Sequence, residues 1–150
     1  MSSQGTGPAD EPSTEPPRPL SIGDELPSIR TPPMDRMRLA YMAVAMRDPN
    51  PVHLDDDFAQ GIGLPGVIAH GTFAVSYVGA AISRHVGVDR IRTFNVELTA
   101  PVFIGDELTT QVTTGMVHSM GDETILEGVL SVRNQDGTLV ARGSASWISP

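Results

Sequence analysis

The segment from Gly71 to Val86 sets the terms for the rest of the fold. It carries Phe73, Val75, Tyr77, Val78, Ala81 and Ile82, with small residues Gly79 and Ala80 between them and few charges before Arg84. A helix this apolar has to be wrapped by other elements rather than lie on a surface. The C-terminal part of the chain can do the wrapping. Beyond Gly87 the pattern changes to four strands, at about 91–100, 107–118, 123–134 and 138–148. Turns at Gly105-Asp106, Met120-Gly121-Asp122 and Asn134-Gln135-Asp136-Gly137 separate them, and Asp136-Gly137 is a strong hairpin signal. Alternation in Val112-Thr113-Thr114 and Ser131-Val132-Arg133 suits strands with one wet face. Periodicity by itself therefore gives an α+β domain.

Upstream, Ile22 to Pro27 reads as a turn leading into a short strand over 28–31, which Pro32-Pro33 stops. Asp35 stands where a helix over 36–46 begins. Met37, Ala40, Tyr41 and Val44 share one face of it and its last turn is apolar all round, which predicts a mostly buried helix with its methionines as core filler. Asp48-Pro49 forbids its continuation. Asp55-Asp56-Asp57 then cap a short helix through Phe58-Ala59 that Gly61 ends; consecutive carboxylates cannot all face one ion, so capping is preferred to metal binding.

The chain has 150 residues, one domain's worth. Residues 1–19 are rich in Pro, Ser, Thr and Glu and nearly devoid of apolar side chains, the composition of a disordered tail; 20–150 form the folded domain. A formal net charge of −8 argues against nucleic acid or an anionic membrane surface as partner. With no cysteine, and with histidines only at 53, 70, 85 and 118 in no chelating spacing, neither a metal nor another cofactor is expected. Residues 1–19 show neither the basic start nor the apolar stretch of a secretory signal, and no apolar run reaches the length that crosses a bilayer, so the expected location is cytoplasmic.

The chemistry concentrates in Asp48-Pro49-Asn50-Pro51-Val52-His53. Two prolines fix two φ angles and push the residues before them towards extended backbone, making a stiff turn that holds a carboxylate and an imidazole in fixed relation. Paired acid–base work on one substrate atom requires that arrangement. The bland alternative is loop punctuation with a surface histidine. Asn50 suits local side-chain to backbone bonds that brace the turn. Gly71, at the head of the apolar helix, offers an unpaired N–H at the positive end of the helix dipole and room for close approach, although a glycine there can also serve packing alone. His70 either shapes a pocket or bonds to backbone.

Asp48, Asn50, Pro51, His53 and Asp55, followed by Gly66-Val67-Ile68-Ala69-His70-Gly71, resemble the pattern of the MaoC-like (R)-specific enoyl-thioester hydratases and dehydratases. The likeness continues through Asn95 to Val102 and Gly105-Asp106-Glu107-Leu108. It implies a single hot-dog fold, in which an antiparallel sheet curls around the long helix. It implies that Asp48 and His53 bind one water for (R)-specific hydration of 2-enoyl thioesters or the reverse dehydration, with Gly71 stabilising the thioester oxyanion. Asn50 and His70 would then belong to the substrate pocket. Glu97 departs from the family, whose members often carry a basic residue there; Arg84, Arg90 and Arg92 are the candidates to meet the phosphates of a coenzyme A or acyl-carrier-protein thioester instead. A single hot-dog unit is expected to pair with a second copy or with a second hot-dog subunit. A hot-dog thioesterase and a non-catalytic, acyl-binding subunit of a heteromeric complex are the alternatives.

Overall fold

The computed structural model describes residues 20–149. The expected tail, residues 1–19, lies outside them. Four strands, β1 (Ile91–Leu98), β2 (Leu108–Met120), β3 (Glu123–Asn134) and β4 (Leu139–Ile148), form one antiparallel sheet in the order β1-β4-β3-β2. The expected strands thus form where alternation placed them. Hairpins join β2 to β3 and β3 to β4, with Val112 opposite Leu130 and Val132 opposite Ala141, while β1 closes on the far side of β4 with Asn95 opposite Ser144.

Helix α1 (Arg36–Met46) starts at the Asp35 N-cap, whose carboxylate accepts from Arg38 N–H. Helix α2 (Asp56–Gly61) is capped in the same way by Asp55, which accepts from Phe58 N–H at 3.1 Å, as the capping reading expected. Helix α3 (Thr72–Val86) is the apolar one. Bulges at Ile91–Thr93 and Thr114–Met116 interrupt the register and add twist to the strands facing it. Val78 and Ile82 of α3 are fully buried among Val112, Leu126, Leu130, Val140 and Trp147 of the sheet. This helix in the hand of a curled sheet is the hot-dog fold.

The two edges of the sheet are treated differently. Along β2, the segment 23–31 supplies backbone bonds from Gly23 N–H to Thr114 O, Leu26 N–H to Val112 O and Thr31 N–H to Leu108 O. Prolines 27, 32 and 33 lack an N–H, so this cover forms only isolated bridges at Glu25 and Arg30 and not the short strand that the sequence suggests over 28–31. Among the described residues nothing pairs with the outer edge of β1.

Helix α1 corrects a second expectation. It buries Leu39 and Ala43, whereas Met37, Tyr41 and Val44 stand 60, 68 and 78 % exposed. The three do share a face, but it is the face turned away from the core. Met34 is buried and Met42 packs partly buried against the core, as core filler, whereas Met37, Met46, Met116 and Met120 are exposed.

Candidate active site

The turn after α1 is braced as its composition requires. Arg47 ends the helix in the left-handed region at φ 53°, which reverses the chain and lets Asp48 N–H bond to Ala43 O at 3.0 Å. Asp48 Oδ1 accepts from Asn50 N–H at 3.3 Å, and Asn50 Oδ1 accepts from Val52 N–H at 3.1 Å, capping the single 3₁₀ turn Pro51–His53. Two Asx bonds in succession turn Asp48 and His53 towards the same point. Asn50 acts here on the backbone and does not line the cleft that His53 borders.

His53 is 9 % exposed, and its Nδ1 lies 2.8 Å from the carbonyl oxygen of Ile68. A carbonyl only accepts, so Nδ1 carries a proton, and in the neutral imidazole Nε2 is then the bare lone pair. That Nε2 lies 3.8 Å from Asp48 Oδ2, whose side chain is half-exposed. The gap is too long for a direct hydrogen bond. A water donating both hydrogens at about 2.8 Å holds its two acceptors about 4.4 Å apart, so a small outward turn of the half-exposed Asp48 carboxylate admits one bridging water.

A third group joins this pair. His70, buried, donates from Nε2 to the Asp48 carbonyl oxygen at 3.0 Å, and its ring stacks on that of His53 with centroids 3.7 Å apart and planes 26° from parallel. Asp48, His53 and His70 are the one grouping of potential metal ligands close together among the described residues. Its geometry does not suit a metal. Stacked rings direct their lone pairs side by side rather than to a common centre. Ligation through His70 Nε2 would also move its proton to Nδ1, which is buried and has no partner among the described residues.

His53, His70 and Gly71 border a cleft of about 380 Å³ whose remaining walls include Leu98, Pro101 and Val140. Ala69 N–H bonds to Val102 O at 2.8 Å and Ile68 bridges to Phe103, so the segment leading into α3 is stitched to the loop after β1. Phe103 N–H is in turn held by buried Asp106 at 2.8 Å. Gly71 opens α3, and its N–H has no acceptor among the described residues. A donor of that kind, at the head of a helix and on the wall of an apolar cleft, suits a developing oxyanion. A larger groove, about 640 Å³, runs along β1 and β4, but its charged groups, Glu97 and Arg142, are bonded to each other at 2.8 Å.

The arginines stand apart. Arg84 lies 13 residues beyond Gly71 on α3, a rise of about 20 Å. Arg92 is engaged with Glu123 at 3.6 Å and with Asp89 O at 3.2 Å. The structure brings Asp48 against His53 and His70, which with Gly71 border the cleft; Asp48, like Asn50, stands behind its wall, and Arg84, Arg90 and Arg92 are off it. The Ile68 carbonyl is the element that residue reading misses, since a backbone acceptor leaves no mark in side-chain composition.

The family model described as the MaoC like domain matches residues 4–134. The chain belongs to the MaoC-like dehydratase family. A mitochondrial 3-hydroxyacyl-[acyl-carrier-protein] dehydratase of Solanum lycopersicum is 27 % identical over 131 residues, 87 % of this chain and 78 % of that protein. Among solved structures, the R-hydratase PhaJ1 of Pseudomonas aeruginosa superposes with a TM-score of 0.73 at 26 % identity, covering 87 % of this chain and 83 % of that one. The (R)-hydratase of A. caviae involved in PHA biosynthesis gives 0.74 at 25 %, covering 85 % and 95 %. Among the described residues, no helix of this MaoC-like protein is long and apolar enough to cross a membrane.

Proposed function

We propose that this protein adds water to 2-enoyl thioesters and, in reverse, dehydrates (R)-3-hydroxyacyl thioesters. The observation that carries the reading is the bare Nε2 of His53 set 3.8 Å from the Asp48 carboxylate on a turn that neither can leave. Water held between them loses a proton to His53 Nε2 as its oxygen bonds to the β-carbon. The C2=C3 electrons move towards the thioester, and Gly71 N–H holds the charge that gathers on its oxygen. A proton supplied from the Asp48–His53 pair then bonds to the α-carbon, so that H and OH enter from one face. Each well-placed group contributes about 10²–10⁴ in rate. The relatives named as (R)-hydratases and as a 3-hydroxyacyl-carrier dehydratase support the substrate class.

The open edge of β1 supports a second hot-dog unit as partner. An unpaired edge beside an open cleft is a liability that pairing removes.

The test is the absorbance of crotonyl-coenzyme A and longer 2-enoyl thioesters mixed with purified protein. Loss of the enone band without thiol release is the expected result. Thiol release would make the protein a thioesterase, and an unchanged spectrum across chain lengths and carriers would leave it an acyl-binding subunit.

A further inference from the structure

We propose that His70 is the positioning residue of the Asp48–His53 pair, an inference that rests on the hydratase reading for its kinetic consequences. Three observations carry it. First, His70 is the long-range tie on the Asp48 backbone. Asp48 N–H is held within its own helix end by Ala43 O, and Oδ1 by the N–H two residues on. The far end of the turn is tied to the segment before α3 by Ile68 N–H to Val52 O at 3.2 Å and by His53 Nδ1 to Ile68 O, but at Asp48 itself that tie is the bond from His70 Nε2 to its carbonyl, 3.0 Å long and 22 residues distant in sequence. The carboxylate, half-exposed and without a bonded cation, has no other anchor of that kind among the described residues.

Second, His70 completes the restraint on His53. The Ile68 carbonyl holds that ring by one edge atom, and a single bond leaves rotation about its own axis free. The face of His70, 3.7 Å away, stops that rotation. Ile68 and His70 are two residues apart on one segment, so a single piece of backbone grips His53 by edge and by face. The Asp48 carbonyl and the His53 ring thereby share one support.

Third, the fold tolerates a cost to keep this imidazole. His70 is 4 % exposed, and with its proton on Nε2 the buried Nδ1 has no partner among the described residues. An unpaired buried nitrogen is destabilising, and an apolar ring would fill the same space without it. The donor and the ring face together account for its presence.

The decisive comparison uses two variants that divide these contacts. His70→Phe keeps a ring and loses the donor; His70→Gln keeps a donor near the Nε2 position and loses the ring. A misplacement of ~1 Å in such a pair can cost ~10²-fold. Each variant is expected to lower kcat about tenfold or more with KM changed less than about threefold, since what is lost is alignment in the transition state. In an Asp48→Asn background, His70→Phe should add little further loss, because it acts through a group already disabled. A raised KM with kcat intact would make His70 a substrate contact, and multiplicative losses would make it independent; either overturns the proposal. A second readout needs no substrate. In imidazole nitrogen–proton spectra, His70→Gln should remove the ring-current shift on the His53 ring protons and broaden them. If wild-type protein hydrates no thioester, the hydratase reading falls, and these spectra still decide whether His70 fixes His53: unchanged His53 signals would refute it.

Discussion

Leu98 lies over Gly71: a Cβ built at Gly71 would overlap Cδ1 of Leu98, the half-exposed residue that ends β1. Two explanations of the glycine therefore meet at one spot. One says that the residue is small so that Leu98 can pack; the other says that it is small so that a thioester carbonyl can reach its N–H.

The explanations separate in a double variant. In Gly71→Ala the methyl pushes aside the far end of a flexible side chain, so the protein should still fold, with kcat/KM reduced ~10²-fold as carbonyl approach is obstructed. Adding Leu98→Ala relieves the overlap without clearing the N–H. Melting temperature should recover while activity stays low. Restored activity in the double variant would show that Gly71 serves packing.

Acid stability provides a second test. Asp56 accepts from Val67 N–H at 3.1 Å and pairs with Arg36, and these bonds, the Val67 N–H foremost, hold its carboxyl below the usual carboxylate value. Because the folded state binds this proton less readily than the unfolded chain, its stabilisation is fully present above the unfolded value of about 4 and is lost as pH falls through the folded value. Asp56→Asn cannot titrate. Its melting temperature should therefore fall less steeply than wild type below about pH 4, with the remaining slope including that of Glu97, whose bond to Arg142 lowers its value likewise. Parallel acid limbs would show that the Val67 tie contributes nothing.

The differing edges of the sheet predict an oligomer. β2 is covered by the chain's own residues 23–31, and β1 by nothing among the described residues. Phe94 and Leu98 sit on β1, 36 and 50 % exposed. Sedimentation should find a species of at least twice the monomer mass, and dilution that dissociates it should lower specific activity in parallel. A stable, active monomer would count against edge pairing and against a partner completing the cleft.

Much of this is legible in the chain because the signals are local. Alternation in 107–118 and 123–134, and a two-residue Asp136-Gly137 turn, leave those strands little choice. Asp35 and Asp55 cap their helices through bonds three residues long. Where local pattern and tertiary environment part, the reading fails. Met37, Tyr41 and Val44 share a face by helical spacing alone, but spacing does not say which neighbour covers it, and here none of the described residues does. The turn Asp48–His53 is readable because prolines stiffen it. The stacking of His70 on His53 and the tie to Ile68 O depend on how α3 docks against that turn, which is a long-range matter.

The closest test of mechanism concerns whether Asp48 and His53 work as one unit. Their side chains face each other across a gap that a small outward turn of the Asp48 carboxylate opens to one water, and the ring that would take the proton has its other nitrogen committed to a carbonyl. Asp48→Asn keeps size and removes the charge, while His53→Ala removes the acceptor. Each should lower kcat by ~10²-fold or more and leave KM little altered, because proton transfer is lost and acyl binding is not. The two should differ in stability. Asp48 is half-exposed, so Asp48→Asn should melt close to wild type, whereas His53 is buried and bonded to Ile68 O, so His53→Ala leaves a cavity and an unpaired carbonyl and should melt lower. The double variant should be scarcely slower than the poorer single one, since loss of either group already disables the water. Folded Asp48→Asn protein hydrating at a wild-type rate would exclude the carboxylate from the reaction. Losses that simply multiply would give the two residues separate tasks, and the shared water would have to be abandoned.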